Sequence, residues 1–346
     1  MEHLNVVNLI QAGIAATGIL GFLLLWMTKS EEFRGIAVLL FSVAFSACIN
    51  ILEESGLTRD FYLISPIFIM LFGPLTYLAA KLLIEKKLAV QQYWHLFPVL
   101  PFLLFTSYTY AIIGLGTAWR LMYATLTILM LLKYKRSLDE ARSDADDFSL
   151  SWLIWVLIVT AFFNLIDLVR LNFQYMIAHD HNVIGQGINN LVWLVAIMVI
   201  IIKLQVQKRL PQNIEEPAVE KETNRPTKND ANDDDYHSIF TELDKLIIAN
   251  KWFLQSRLTL QDISLLTGLQ TRDISRAINL ITKKSFNEYI NNYRVEYVCV
   301  ALSKEHNKSL TDIYLDAGFS SKASFNKVFK GVTGLTPSEY KSQYKV

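Results

Sequence analysis

Two cysteines in 346 residues, Cys48 and Cys299, lie in different regions of the chain. That excludes a disulfide framework and a thiolate metal site, and it leaves both as small, reduced, buried residues. No His/Glu set has metal-ligand spacing, and no nucleophile motif is present. His179-Asp180-His181 puts two histidines at i, i+2 on an expected loop, too little for a metal site. The chain is therefore expected to be no enzyme and to carry neither metal nor cofactor. Charge is scarce, at 19%, and nearly cancels to a net +1. The total hides a partition. Residues 236–346 hold 15 Lys+Arg against 10 Asp+Glu, whereas 206–235 hold 5 against 8. A basic C-terminal region suits a polyanionic partner.

Apolar residues are what the chain has in abundance. A hydrophobic fraction of 52% and a mean hydropathy of +0.28 are too apolar for a wholly soluble protein of this size. Seven segments approach the length of a spanning helix, about 20 residues. They are Leu4–Met27, Gly35–Leu52, Tyr62–Ile84, His95–Ile113, Ala118–Leu132, Leu150–Phe173 and Val183–Leu204. The fifth is short, which leaves a re-entrant segment open there. The first has Glu2 and His3 in place of leading cations and no small-residue cleavage pattern, so it does not read as a cleavable signal peptide.

Loop charges indicate an orientation. Lys29, Arg34, Lys81, Lys86, Lys87, Lys133, Lys135, Arg136, Arg142, Lys203, Lys208 and Arg209 fall on the side of the C-terminus, against Arg59 and Arg120 opposite. Cations concentrate on the cytoplasmic side. The expected placement is a multi-pass protein of the bacterial inner membrane, N-terminus outside and C-terminus in the cytoplasm. An odd number of spans agrees.

After the last span, residues 206–235 carry Pro211, Pro217, Pro226 and the run Asp233-Asp234-Asp235, with almost no apolar residues. That composition predicts a disordered acidic tether. Three domains are expected: a membrane sensor at 1–205, the tether, and a helical domain at 236–346. The fold class is all-α.

The C-terminal region contains a repeat. Thr259-Leu260-Gln261-Asp262-Ile263 with Gly268-Leu269 is matched, at a constant offset, by Ser309-Leu310-Thr311-Asp312-Ile313 with Gly318-Phe319. Each copy opens with a hydroxyl N-cap and an acid three residues on. Each then reaches a Gly suited to positive φ, and a second helix follows. This pattern is a helix-turn-helix, twice. In the second helices Ile274 with Ile278, and Phe325 with Phe329, are the inward pairs. Arg272, Ser275 and Arg276 in one copy, and Ser321, Lys322, Ala323, Asn326 and Lys327 in the other, lie outward. Residues 286–302 form a strut with Tyr289, Tyr293, Tyr297 and Val300 at helical spacing, an aromatic stripe better suited to a core than to base stacking. Lys284 suits a phosphate contact.

Residues 256–346 resemble the DNA-binding domain of the AraC/XylS family of transcription regulators. Gly318-Phe319-Ser320-Ser321 through Phe325, Phe329-Lys330 and Thr333-Gly334-Leu335-Thr336-Pro337-Ser338-Glu339-Tyr340 carry the likeness, with Ser285-Phe286-Asn287-Glu288-Tyr289-Ile290 in the looser first copy. The resemblance implies duplex DNA as partner. By position it implies Arg272, Ser275 and Arg276 in one major groove and Lys322, Ala323 and Lys327 in the next; Thr271, Ser321 and Lys284 are further expected DNA contacts. Ala323 has no hydrogen-bonding group, so it offers only contact with a thymine methyl. Less specifically, Phe72-Gly73-Pro74-Leu75-Thr76-Tyr77-Leu78 and His95-Leu96-Phe97-Pro98 resemble a multi-spanning sensor region found on membrane-bound regulators of this kind.

Polar residues inside spans are costly and point to function or to helix pairing. Asn164, Asp167 and Arg170 share the sixth span; Asn50, Glu53 and Glu54 end the second; Gln186, Asn189 and Asn190 begin the seventh; Asn8 and Gln11 lie early in the first. A signal pocket open to the outside is expected at Asn50, Glu54, Asn164, Asp167, Arg170 and Asn189; hydrogen bonding between helices is the alternative.

The expected function is a membrane-tethered, sequence-specific transcription regulator that responds to a signal. Its expected partners are DNA, membrane lipid, a small molecule from outside, a second copy of the chain and the transcription machinery. The alternatives are a transporter or membrane enzyme with a regulatory DNA-binding tail, although no inverted repeat is visible, and a structural anchor for the chromosome.

Overall fold

Long apolar runs satisfy their own backbone groups by coiling, and helices dominate the result. The computed structural model describes residues 6–58, 63–106, 108–211, 233–304 and 308–343. It divides into two compact units: residues 1–132 with 150–210, and residues 133–149 with 211–346. Among the described residues there is no strand; one isolated antiparallel bridge joins Arg142 to Thr259. The all-α reading holds.

In the first unit the helices are α1 Val6–Thr28, α2 Arg34–Glu54, α3 Ser65–Glu85, the short α4 Val99–Phe102, α5 Thr109–Ala141, α6 Ser151–Asn172 and α7 His179–Val206. From Lys133 onward α5 belongs to the second unit. Six of these, all but α4, are long and apolar enough to cross a membrane. The expected fourth span, His95–Ile113, is not one helix. Residues Val90–Leu96 form a 3-10 helix, α4 follows, and Thr109–Ile113 opens α5. Pro98 and Pro101 explain the break, since each removes a donor and crowds the preceding turn. The fifth segment is correspondingly longer than expected, part of a single 33-residue helix, and it is not re-entrant.

The broken segment still traverses the unit. A Cβ on Gly116 would stand 2.8 Å from Ile69, and one on Gly73 would stand 3.1 Å from Arg120, so α3 and α5 run parallel. The chain between them must climb back. It does so past Tyr123, whose hydroxyl is 2.8 Å from His95 Nδ1, and then past Ile67, Met70 and Ile112, which pack on Val99. The unit thus combines six long helices with one irregular segment. The start of α1 and the end of α7 lie at opposite ends. Gln11 and Gln186 both reach Glu54 at one end, and Lys29 donates to the Gln205 carbonyl at the other.

The second unit contains α8 Asp233–Ala249, α9 Leu260–Thr267, α10 Thr271–Thr282, α11 Phe286–Lys304, α12 Leu310–Asp316, α13 Lys322–Thr333 and α14 Pro337–Gln343. It has two apolar cores. Leu243, Ile247, Leu260, Ile263, Ile274, Ile278, Phe286 and Ile290 build the first; Val298, Leu302, Ile313, Phe319, Phe325 and Phe329 are prominent in the second. Helix α11 contributes to both and is the strut the repeat requires, 19 residues or roughly 28 Å long. The tether expected at 206–235 falls largely on residues 212–232, outside those described.

Candidate nucleic-acid interface and a polar cavity

Each helix-turn-helix is built by the local signals its sequence carries. Thr259 Oγ1 accepts from the Asp262 amide at 3.1 Å, and Asp262 accepts in return from the Thr259 amide at 2.8 Å. Ser309 caps α12 in the same way, accepting from the Asp312 amide at 3.1 Å. Gly268 and Gly318 turn the chain at φ of +74° and +84°. They differ in surroundings. A Cβ on Gly268 would meet nothing, while one on Gly318 would stand 2.6 Å from the Leu254 carbonyl oxygen.

Of the residues expected to meet DNA, Arg272, Arg276, Lys284, Lys322, Ala323 and Lys327 are exposed on or beside α10 and α13. Arg276 lays its guanidinium 4.8 Å from the Tyr236 ring centre. Thr271 is the first residue of α10, and Ser321 is the N-cap of α13, accepting from the Ser324 amide at 3.1 Å. Ser275 departs from its expected outward face. It is 5% exposed, because Glu140 from the end of α5 packs over it and accepts its hydroxyl at 3.1 Å.

The strut is a core element, as its aromatic stripe suggests. Tyr289 and Tyr293 both donate to Asp244 Oδ1, the former at 2.6 Å. Burial and that carboxylate hold both phenols protonated well above the usual tyrosine range. Val300 leaves the stripe and is exposed. The buried side of the strut also holds polar groups that the sequence reading did not single out. Asn287, Asn291 and Arg294 are buried, and Arg294, 1% exposed, donates to the Phe253 and Gln255 carbonyls at 2.7 Å each. Burial lowers its pKa to about 10.

These geometries agree with the comparisons. Residues 249–343 match a family profile described as a helix-turn-helix domain. The C-terminal part of the chain carries a helix-turn-helix domain of the AraC type. The chain is also similar to uncharacterized HTH-type transcriptional regulators of Staphylococcus aureus strains COL and N315. Each is 32% identical over 84 residues, 24% of this chain and 11% of that protein. The chain therefore spans only about a ninth of the length of these relatives. No solved structure matches the chain.

In the first unit, all six residues expected to form a signal pocket line one cavity of ≈ 740 Å³. Glu54 accepts from Gln186 at 2.7 Å and from Gln11 at 3.3 Å. Asp167 accepts from Arg170 Nε and Nη2 at 2.8 Å each, and Arg170 also donates to Asn182. Asn50, Asn164 and Asn189 complete the set. Gln11 Oε1, Glu54 Oε2 and Asn189 Oδ1 are buried with no partner. Arg120 is a correction. It is not an outer-loop cation, because α5 starts at Thr109; it sits inside that helix on the cavity wall, its guanidinium 6.0 Å from the Trp193 ring centre. Its Nε is also buried without a partner. Among the described residues, no three His, Cys, Asp or Glu side chains are grouped to hold a metal.

Proposed function

We propose that the protein is a membrane-embedded, sequence-specific regulator of transcription that responds to a small polar molecule. One observation carries this reading. A single chain joins an AraC-type helix-turn-helix domain to a unit whose spanning-length helices enclose a polar cavity. Lipid does not tolerate so many amides and charges unless they pair or bind, and several cavity atoms have no partner. Arg272 and Arg276 on α10, and Lys322 and Lys327 on α13, are the residues that would read base edges, with Lys284 on phosphate.

The proposed orientation places the cavity end outside and the second unit in the cytoplasm. It is supported by Lys29, Arg34, Lys81, Lys86, Lys87 and Lys203, which belong to the opposite end from the cavity. Cysteine labelling tests it. Positions 55 and 182 should react in intact cells, and positions 86 and 137 only after permeabilisation; labelling at 137 in intact cells overturns it. Function is tested by mapping genomic binding together with transcript changes on deletion. Binding without transcript changes favours a chromosome anchor, and substrate flux in proteoliposomes favours a transporter with a DNA-binding tail.

A further inference from the structure

The last turn of α5 and the connection to α6 carry an acidic stretch, Asp139-Glu140-Ala141-Arg142-Ser143-Asp144-Ala145-Asp146-Asp147, with five carboxylates against one arginine. It packs within the second unit and touches both recognition helices. On α10, Glu140 Oε2 accepts from Ser275 at 3.1 Å and from Asn279 at 3.0 Å. On α13, Asp146 accepts from Lys327 at 2.5 Å. Asp147 accepts from Ser320 and Ser321, each at 2.6 Å, at the start of that helix. Between these anchors Asp139 accepts from Asn287 at 3.2 Å. The Ser143 amide donates to the Leu258 carbonyl at 2.9 Å, and the Ser143 carbonyl accepts from Asn291 at 3.0 Å.

Three of these contacts engage side chains expected to meet DNA, Ser275, Ser321 and Lys327. A phosphate favours the N-terminus of a helix, where amides and a hydroxyl converge, and that position on α13 holds the Asp147 carboxylate. Lys327 has its ammonium on Asp146. Three residues expected on DNA, Ser275, Ser321 and Lys327, are thus bound to carboxylates of the same chain. The charge complements the net positive 236–346 region.

We propose that residues 139–147 are an acidic clamp that occupies the DNA-reading surface, so that clamp and duplex bind in competition. The proposal rests on the DNA-binding reading and adds its regulation. The clamp begins on the last turn of α5, and α5 lines the cavity through Thr109, Ile113 and Arg120. A cavity ligand therefore has a covalent route to the clamp.

The test uses the full chain in lipid nanodiscs and a fluorescent duplex pool of mixed sequence at low salt. If the closed clamp holds about nine in ten molecules, only the open tenth binds and apparent affinity falls about tenfold. Glu140→Gln, Asp146→Asn and Asp147→Asn together should then raise duplex affinity about tenfold or more. A second arm pairs Asp147→Cys with Ser320→Cys. Oxidation should abolish binding and reductant should restore it, which keeps the test decisive if the triple variant misfolds. Equal affinity of wild type and triple variant, weaker binding by a triple variant that melts like wild type, or undiminished binding by the oxidised pair each overturns the clamp alone. If neither wild type nor variants bind the duplex, the DNA-binding reading falls and the clamp with it.

Discussion

Arg294 Nη2 donates to Ser143 Oγ at 3.0 Å, tying the strut to a segment 151 residues away in sequence. The same guanidinium holds the Phe253 and Gln255 carbonyls and stands 5.6 Å from the Phe319 ring centre. One side chain thus joins the loop before the first helix-turn-helix, the turn of the second, and the acidic segment. Arg294→Met should strand buried carbonyls, each costing about 1–3 kcal/mol, and should lower the denaturant midpoint of the second unit markedly. Arg294→Lys should not rescue it, because an ammonium lacks the planar fork. A wild-type midpoint in either variant contradicts this account.

The two turn glycines are equivalent in sequence and unequal in structure. Gly268→Ala should cost about 1–2 kcal/mol, the strain of a left-handed alanine. Gly318→Ala adds a clash with the Leu254 backbone, which cannot swing aside as a side chain would. It should destabilise by several times as much and disrupt the packing of the second turn against residues 253–254. Equal denaturant midpoints for the two variants would contradict the role assigned to Leu254.

Much of this was legible from local pattern. The caps at Thr259 and Ser309, the inward pairs Ile274 with Ile278 and Phe325 with Phe329, and the strut all follow from spacing that a single helix imposes. The cavity residues were legible because amides and charges in apolar segments are conspicuous. The fourth crossing was misread because a hydropathy window averages over Pro98 and Pro101, and Arg120 was misplaced with it. Burial of Ser275 and the roles of Asn291 and Arg294 could not be read, since they depend on a segment far away in sequence. The one available signal was the acidic stretch at 139–147, on a side where loops are otherwise basic.

Tyr289 and Tyr293 make stability depend on alkaline pH. Both stay protonated in the folded state above the ordinary tyrosine pKa, about 10. Their contribution is complete below that value. It is lost as pH rises beyond it, where the unfolded chain ionises and the folded one does not. Ultraviolet titration should find these two phenols ionising only on unfolding. Tyr289→Phe with Tyr293→Phe should flatten the alkaline loss of stability; an unchanged slope would exclude these phenols as its source.

On the DNA side, Arg276→Ala should weaken binding by about 1–3 kcal/mol and relax preference at one base position. Lys284→Ala should weaken binding to all sequences alike and reduce the salt slope by about one. These signatures are separable by selection on random duplexes at two salt concentrations. If Arg276→Ala left both affinity and preference intact, α10 would not be the first reading helix.

The cavity separates structural pairing from sensing. Asp167 and Arg170 form a partly buried pair one helical turn apart, and Arg170 is further held by Asn182. Removing one partner leaves a charge stranded among apolar helices, at a cost of about 3 kcal/mol. Asp167→Asn and Arg170→Gln should each lower protein abundance in membranes, and the double variant should partly restore it. Asn189 is different: it lines the cavity and its Oδ1 is buried with no partner, so Asn189→Ala removes no bond made by that oxygen. It should leave abundance normal while fixing transcriptional output on or off regardless of the medium. A normal response from Asn189→Ala, alongside reduced abundance in the charge variants, would reduce the cavity to helix packing and leave the sensor to be sought elsewhere in the spans.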